Sequence, residues 1–248
     1  MQTFRLFVLS LLLALTMHLP AGAQGTADAP PRDGSVSREL STRDTHYDPI
    51  ESINYRVFVF NSVFDRFVLK PVAQSYAAVV PPPVQTAVHN AVDNLGVVRK
   101  VVNNLLQGKT LSAARETARF VINSTVGIAG LVDMADKMGL EPSDQDMGIT
   151  LGLSGVSHGA YLVLPLLPVT TVRDGIGAVA DSLMSPLTWL TPSYVPLSIR
   201  AADTINDRAR NMKTYEELER SIDPYGAVRN AYLQIRQHKL EQAKTEGY

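Results

Sequence analysis

An all-α fold is what this chain predicts, on three observations. Apolar residues recur at steps of three and four through several long segments, prolines and capping residues mark where those segments start, and no stretch alternates like a half-buried strand. Nor does the chain show the βα repetition of a parallel-sheet fold. The first helix is read from residues 48–71. Asp48 is placed as its N-cap, Pro49 at the first helical position, where a missing N–H costs nothing, and Glu51 at N3 to close a capping box. Ile53, Val57, Phe60, Phe64 and Phe67 make an apolar stripe that Phe58, Val59 and Val63 widen, while Asn54, Asn61, Ser62, Asp65 and Arg66 take the other side. Such a face is covered by protein, the usual case, or by lipid.

The next helix starts at Pro81-Pro82-Pro83 and carries Val84, Val88, Ala91, Leu95, Val98, Val102 and Leu105 at helical spacing until Gly108, with Gly96 as a bending point. Thr110 is placed as another N-cap, ahead of Leu111, Ala114, Ala118, Val121 and Ile122; a Gly-punctuated stretch, Gly127 to Gly130, follows, and a short helix is expected to end at Gly139. From Met147 to Val172 there is no charged residue, a span longer than the roughly 20 residues of a membrane helix. Gly148, Gly152, Gly155, Gly159, Ser154, Ser157, His158, Pro165 and Pro168 interrupt it, which predicts a protein-buried, re-entrant or cavity-lining backbone. Ala178 to Leu190 reads as helix. Thr214 and Glu217 suggest a capping box, and Asp223-Pro224 starts a charged final helix with Val228, Ala231, Tyr232 and Ile235 as its apolar stripe.

Residues 1–23 read as a secretory signal: Arg5, an apolar run from Leu6 to Leu19, and the small-residue site Ala21-Gly22-Ala23. Residues 24–47, rich in Pro, Gly, Ser, Asp and Arg, read as a flexible leader, and 48–248 as a single helical domain. Removing the signal takes away one arginine and no acid, so the formal charge moves from −1 to −2. That balance argues against nucleic acid as a partner. The chain has no cysteine, so neither a disulfide nor a thioether-linked lipid is expected.

Gly155-Val156-Ser157-His158-Gly159 matches the G-x-S-x-G nucleophile elbow, so a secreted serine hydrolase or lipase acting through Ser157 is the alternative function. An elbow needs a strand before Ser157 and a helix after it, whereas Pro165 and Pro168 oppose that helix and the only downstream histidine is His238. His18, His46, His89, His158 and His238 pair with no other His or Cys at ligand spacing, so neither a metal site nor a cofactor is expected. Asp133, Asp136, Glu141, Asp144 and Asp146 lack the spacing of a calcium loop and read as a solvated acidic face.

Taken in order, these blocks resemble the MlaA family, also called VacJ, from Asp48 to about Gln237. The resemblance rests on Asp48-Pro49-Ile50-Glu51 with Asn54 and Phe60-Asn61, on Val68-Leu69-Lys70-Pro71-Val72-Ala73, on Leu106-Gln107-Gly108, and on Arg119-Phe120 with Asn123. Its most specific part is Asp146-Met147-Gly148-Ile149-Thr150-Leu151-Gly152, followed by Gly155, Gly159, Tyr161, Leu164-Pro165 and Arg173-Asp174; Asp223-Pro224-Tyr225 closes it. The resemblance implies a compact helical ring with a central channel, seated in the inner leaflet of the Gram-negative outer membrane. It implies a transport component, not an enzyme, that removes phospholipid misplaced in the outer leaflet. Its implied partners are a trimeric porin and a soluble periplasmic lipid-binding protein.

The family's lipidated cysteine is missing here, so attachment is expected through apolar surface: Phe58, Phe64 and Phe67, with Trp189 and Tyr194 at headgroup level. The lipid passage is expected along 152–167. There Gly152, Gly155 and Gly159 permit close backbone approach, Ser154, Ser157 and His158 offer polar contacts, and Tyr161, Leu164 and Leu166 lie on the same segment, the leucines meeting acyl chains.

Overall fold

The computed structural model describes residues 48–246, so the signal at 1–23 and the leader at 24–47 lie outside the described residues. Twelve helices and one two-residue strand pair make up this part of the chain. The first three elements are α1 (Glu51–Phe64), a π-helical turn (Asp65–Leu69) and α2 (Lys70–Val79). α3 (Pro82–Leu95) and α4 (Val97–Leu106) are separated at Gly96, so the second expected helix is broken there and not merely bent. α5 (Thr110–Thr125) folds back on α4, and α6 (Met134–Lys137) packs on α5.

α7 (Met147–Leu153) leads to β1 (Tyr161–Leu162), which pairs antiparallel with β2 (Thr170–Thr171). α8 (Val172–Met184) then packs on α7. α9 (Pro186–Leu190) follows a break before Pro186, so the helix expected over 178–190 starts earlier and is two helices. α10 (Tyr194–Arg210) packs on α2 and α3, and α11 (Met212–Glu219) leads to α12 (Pro224–Thr245), which crosses α7.

Asp223 caps α12 through the Gly226 N–H at 3.0 Å, with Pro224 at N1, as its sequence predicts. Three other expected caps are absent. Ile50 precedes α1 without a side-chain cap, because the Asp48 carboxylate is taken by Asn54, Tyr225 and Arg229. Thr110 already lies inside α5, and Thr214 lies inside α11, which starts at Met212. The caps that do form there and nearby are Asp133 on α6, Asp146 on α7 and Thr171 on α8.

The distribution of polarity is inverted relative to a water-soluble domain. Glycines aside, eighteen polar or charged described residues are buried against eleven apolar ones, five of which are alanines on α2, α5, α6, α10 and α12. The hydrophobic cluster is small: Tyr161, Val163 and Tyr225, with Val57, Phe58, Val169 and Tyr232 against it. On α1 the buried residue is Asn54, while Ile53, Val59, Phe60 and Val63 are exposed; on α5 Glu116, Arg119 and Asn123 are buried, while Leu111 and Val121 are exposed. Most of the stripes read from sequence on α1 and α5 therefore face outward, while Val57 and Phe58 of α1 pack against the core. Charged groups turned inward must be paired to be tolerated. Arg208 is paired in this way: it forks onto Asp65 at 2.8 and 3.0 Å, stacks over Tyr215 at 4.5 Å and reaches Glu219 at 3.3 Å. No described helix is long and apolar enough to cross a membrane.

Candidate functional site

Two polar fastenings hold the uncharged segment in place. The first is built on α1. Asn54 donates to Asp48 at 2.7 Å and to the Tyr161 carbonyl at 2.8 Å, and its amide oxygen accepts the Val163 N–H at 3.0 Å. Two turns on, Asn61 donates to the Leu164 carbonyl at 3.0 Å and accepts the Leu166 N–H at 2.9 Å. Asparagine suits this because one amide supplies both a donor and an acceptor, as a neighbouring strand would. The two side chains thus satisfy the backbone of 161–166 along one edge of α1. Leu166 is held at φ +60°, a left-handed conformation that costs a branched residue roughly 1–2 kcal/mol.

The second fastening joins α7, α8 and α12. Arg236 donates to Asp146 at 2.6 and 3.0 Å and to Asp174 at 2.9 and 3.0 Å, so one guanidinium clamps two carboxylates. Tyr232 adds a hydrogen bond to Asp174 at 2.7 Å, and Arg173 adds another at 3.0 Å. Burial alone would raise the Asp174 carboxyl, but the Arg236 hydrogen bonds and charge hold it below its ordinary value. Burial and the same carboxylate push Tyr232 upward, and Arg236 is raised by Asp146 and Asp174 despite its burial.

Space for this clamp depends on glycine. A Cβ on Gly148 would lie 2.5 Å from Asp174 Oδ1 and 2.7 Å from Arg236 Nη2, and one on Gly177 would lie 2.5 Å from the Gly148 nitrogen. Asp146 and Asp133 are correspondingly not members of a solvated acidic face. Asp146 is bound to Arg236, and Asp133 accepts from Arg119 at 2.6 Å and Asn123 at 2.9 Å.

The residues expected to line a lipid path divide. Ser154, Gly155, Ser157, Leu164 and Leu166 are exposed, and His158 and Gly159 half-buried. Gly152 serves packing, since a Cβ there would meet Arg173 Nη1 at 2.9 Å and Leu240 at 3.0 Å. Tyr161 is fully buried in the hydrophobic cluster, so it is a core residue and not a lining one. Of the outward aromatics, Phe67, Trp189 and Tyr194 are exposed and Phe64 is half-buried. Phe58 is corrected: it turns inward, edge-on to Tyr225 with ring centroids 5.4 Å apart. Ser157 follows helix α7 by way of a turn and precedes a two-residue strand, the reverse of the strand and helix a nucleophile elbow requires.

Two hollows adjoin these elements. One, of about 330 Å³, lies between α1 and the 164–167 turn and is lined by Arg56, Val57, Phe60 and Pro165. The other, of about 430 Å³, lies among α3, α4, α5 and residues 133–144; Lys100, Glu116, Arg119 and Asp133 are among its walls. Within it burial pushes Glu116 upward, outweighing the Ser143 N–H, Lys100 and Arg119 that favour its charge. Neither hollow nor the Arg236 clamp has a local sequence signal, because their members lie far apart along the chain. The one available hint was an arginine set beside the apolar stripe of α12.

Comparison with known proteins agrees with this architecture. The MlaA lipoprotein family matches residues 46–239. The intermembrane phospholipid transport system lipoprotein MlaA of Haemophilus influenzae is 33% identical over 84% of this chain and 84% of its own length; that of Escherichia coli K12 is 34% identical over 75% and 76%. A Rickettsia conorii protein without an assigned function is 36% identical over 79% of this chain and 78% of its own. A solved chain from a study of the structural basis for maintenance of bacterial outer membrane lipid asymmetry superposes with a TM-score of 0.71 at 32% identity, covering 78% of this chain and 98% of that one. Inward-facing polar fastenings, outward-facing helix stripes and these matches over most of the length lead to one conclusion: the chain belongs to the MlaA family.

Proposed function

We propose that this protein is the outer-membrane component of an intermembrane phospholipid transport system, taking phospholipids misplaced in the outer leaflet and passing them to a soluble periplasmic carrier. The observation that carries this reading is the inverted polarity. Helices that bury asparagine, arginine and aspartate while presenting valine, leucine and phenylalanine outward suit a lipid solvent, and helices of which none described is both long and apolar enough to span suit immersion in one leaflet. That leaflet is the inner one of the outer membrane, beside a trimeric porin. Attachment rests on Phe67 and the exposed faces of α1, α5 and α8, with Trp189 and Tyr194 at headgroup level and without an acyl chain.

A phospholipid crossing a protein needs a polar lane for its phosphate, because a charge in hydrocarbon is costly, and an apolar wall for its tails. The 152–167 segment offers both along a passage ringed by the helices. Ser154, Ser157 and His158 supply polar groups, Leu164 and Leu166 are exposed, and the hollow beside them is lined by Arg56, Val57, Phe60 and Pro165. The names of the Haemophilus and Escherichia relatives and the lipid-asymmetry study of the solved neighbour support the same transport reading. The test deletes the gene and measures phospholipid in the outer leaflet. Wild-type protein and Ser157→Ala are expected to restore asymmetry, whereas Leu166→Glu, folded and present at normal level, is not. Loss of function in a folded Ser157→Ala protein would instead support the hydrolase.

A further inference from the structure

The packing of α3 on α10 contains a cluster that lipid transfer does not use. His89 of α3 and Asp203 and Asp207 of α10 each present a donor atom, all within 4.8 Å of one another. The two aspartates are four residues apart on one helix face, where like charges repel. His89 Nδ1 stands 3.6 Å from Asp207 Oδ1, just beyond hydrogen-bonding range. Separately, Asp203 Oδ1 is buried without any hydrogen-bond partner, a costly state for a carboxylate oxygen. Burial and then Asp207 push that carboxyl upward, and Asp93 on α3 adds to the effect. The neighbouring cation, Arg210, lies 3.9 Å from Asp207 and is part exposed. Asn206, between the two aspartates, turns away to the Gln85 carbonyl and Tyr76.

One imidazole and two carboxylates converging from two helices form a donor set for a borderline divalent ion. Zinc binds such nitrogen and oxygen donors at about 2.0–2.2 Å, which places tetrahedral donors about 3.4 Å apart. The His89 to Asp207 separation of 3.6 Å needs only a small side-chain rotation to meet that. Calcium calls for six or more oxygens, and magnesium for oxygen ligands and water.

We propose that His89, Asp203 and Asp207 bind one zinc-class divalent cation, with water completing its shell, and that the ion clips α3 to α10. The ion neutralises the two facing carboxylates and occupies the free lone pair of Asp203. The test uses the full purified chain in detergent, stripped with chelator and titrated with Zn²⁺ by calorimetry, alongside thermal unfolding. One saturable site is expected, weakened about tenfold or more in His89→Ala and in Asp203→Asn and unchanged in His238→Ala. Zn²⁺ should raise the unfolding temperature of the parent chain and not of the two site variants. Stripped Asp203→Asn should unfold at a higher temperature than the stripped parent, since it removes a half-buried, repelled charge, which also verifies that it folds. Binding unchanged in His89→Ala, or a parent chain with no saturable Zn²⁺ site, overturns the proposal.

Discussion

Replacing Asn54 by alanine probes the principle on which this interior is built. The side chain is 1% exposed and makes three hydrogen bonds, to the Asp48 carboxylate, the Tyr161 carbonyl and the Val163 N–H. Truncation leaves all three partners in a space water does not reach. A neutral hydrogen bond contributes about 0.5–1.5 kcal/mol and a charged one about 1.5–3 kcal/mol, so two neutral bonds and one charged bond sum to about 2.5–6 kcal/mol. That is a large part of the 5–15 kcal/mol typical of a whole domain. Asn61 makes the same kind of clasp one step along the segment, but its two bonds are open to solvent. Water replaces them, and Asn61→Ala should cost no more than about 1 kcal/mol. Denaturant unfolding in detergent measures both, and hydrogen exchange at the Val163 amide should speed up in Asn54→Ala alone. Equal losses in the two variants, or a Val163 amide still protected in Asn54→Ala, would refute the claim that buried amides hold this segment.

Gly177→Ala should destabilise by about 1–3 kcal/mol in thermal unfolding, because its methyl would press on the α7 backbone at Gly148. Glu116→Gln tests pH linkage. The folded carboxyl titrates above its ordinary 4.5, so the native state holds the proton more tightly and the parent chain loses stability as pH rises from about 4.5 through the raised value. The glutamine variant should lack that slope in unfolding measured across the interval. Phe67→Asp should leave unfolding within about 0.5 kcal/mol of the parent, since Phe67 is 71% exposed, yet reduce sedimentation with phospholipid vesicles.

Periodicity made the helices legible: the stripes through Ile53, Val57 and Phe60 and through Leu111 and Val121 mark real helix faces. What periodicity does not carry is the direction a stripe faces, because a helix has the same spacing in either solvent. Caps were legible where the side chain had no stronger partner, as at Asp223, and misread where a distant group claimed it, as Tyr225 and Arg229 claim Asp48. The uncharged block is interrupted backbone, as its glycines and prolines predict, but Tyr161 within it lies in the core, where its carbonyl is held by Asn54 and its strand pairs with β2. The Arg236 clamp joins residues 62 and 90 positions away, and the His89 cluster joins two helices, beyond the reach of any local pattern.

An inside made of amides and ion pairs reverses the usual map of mutational tolerance. Greasy side chains on the periphery need only remain greasy, so leucine, valine and phenylalanine can trade places there with little penalty. Interior positions such as Asn103, which donates to Asp181 and accepts from Thr150, demand one donor and one acceptor at fixed angles, and no isostere supplies both. Random substitution across this gene would therefore find its forgiving sites among the hydrophobic residues and its brittle ones among the polar.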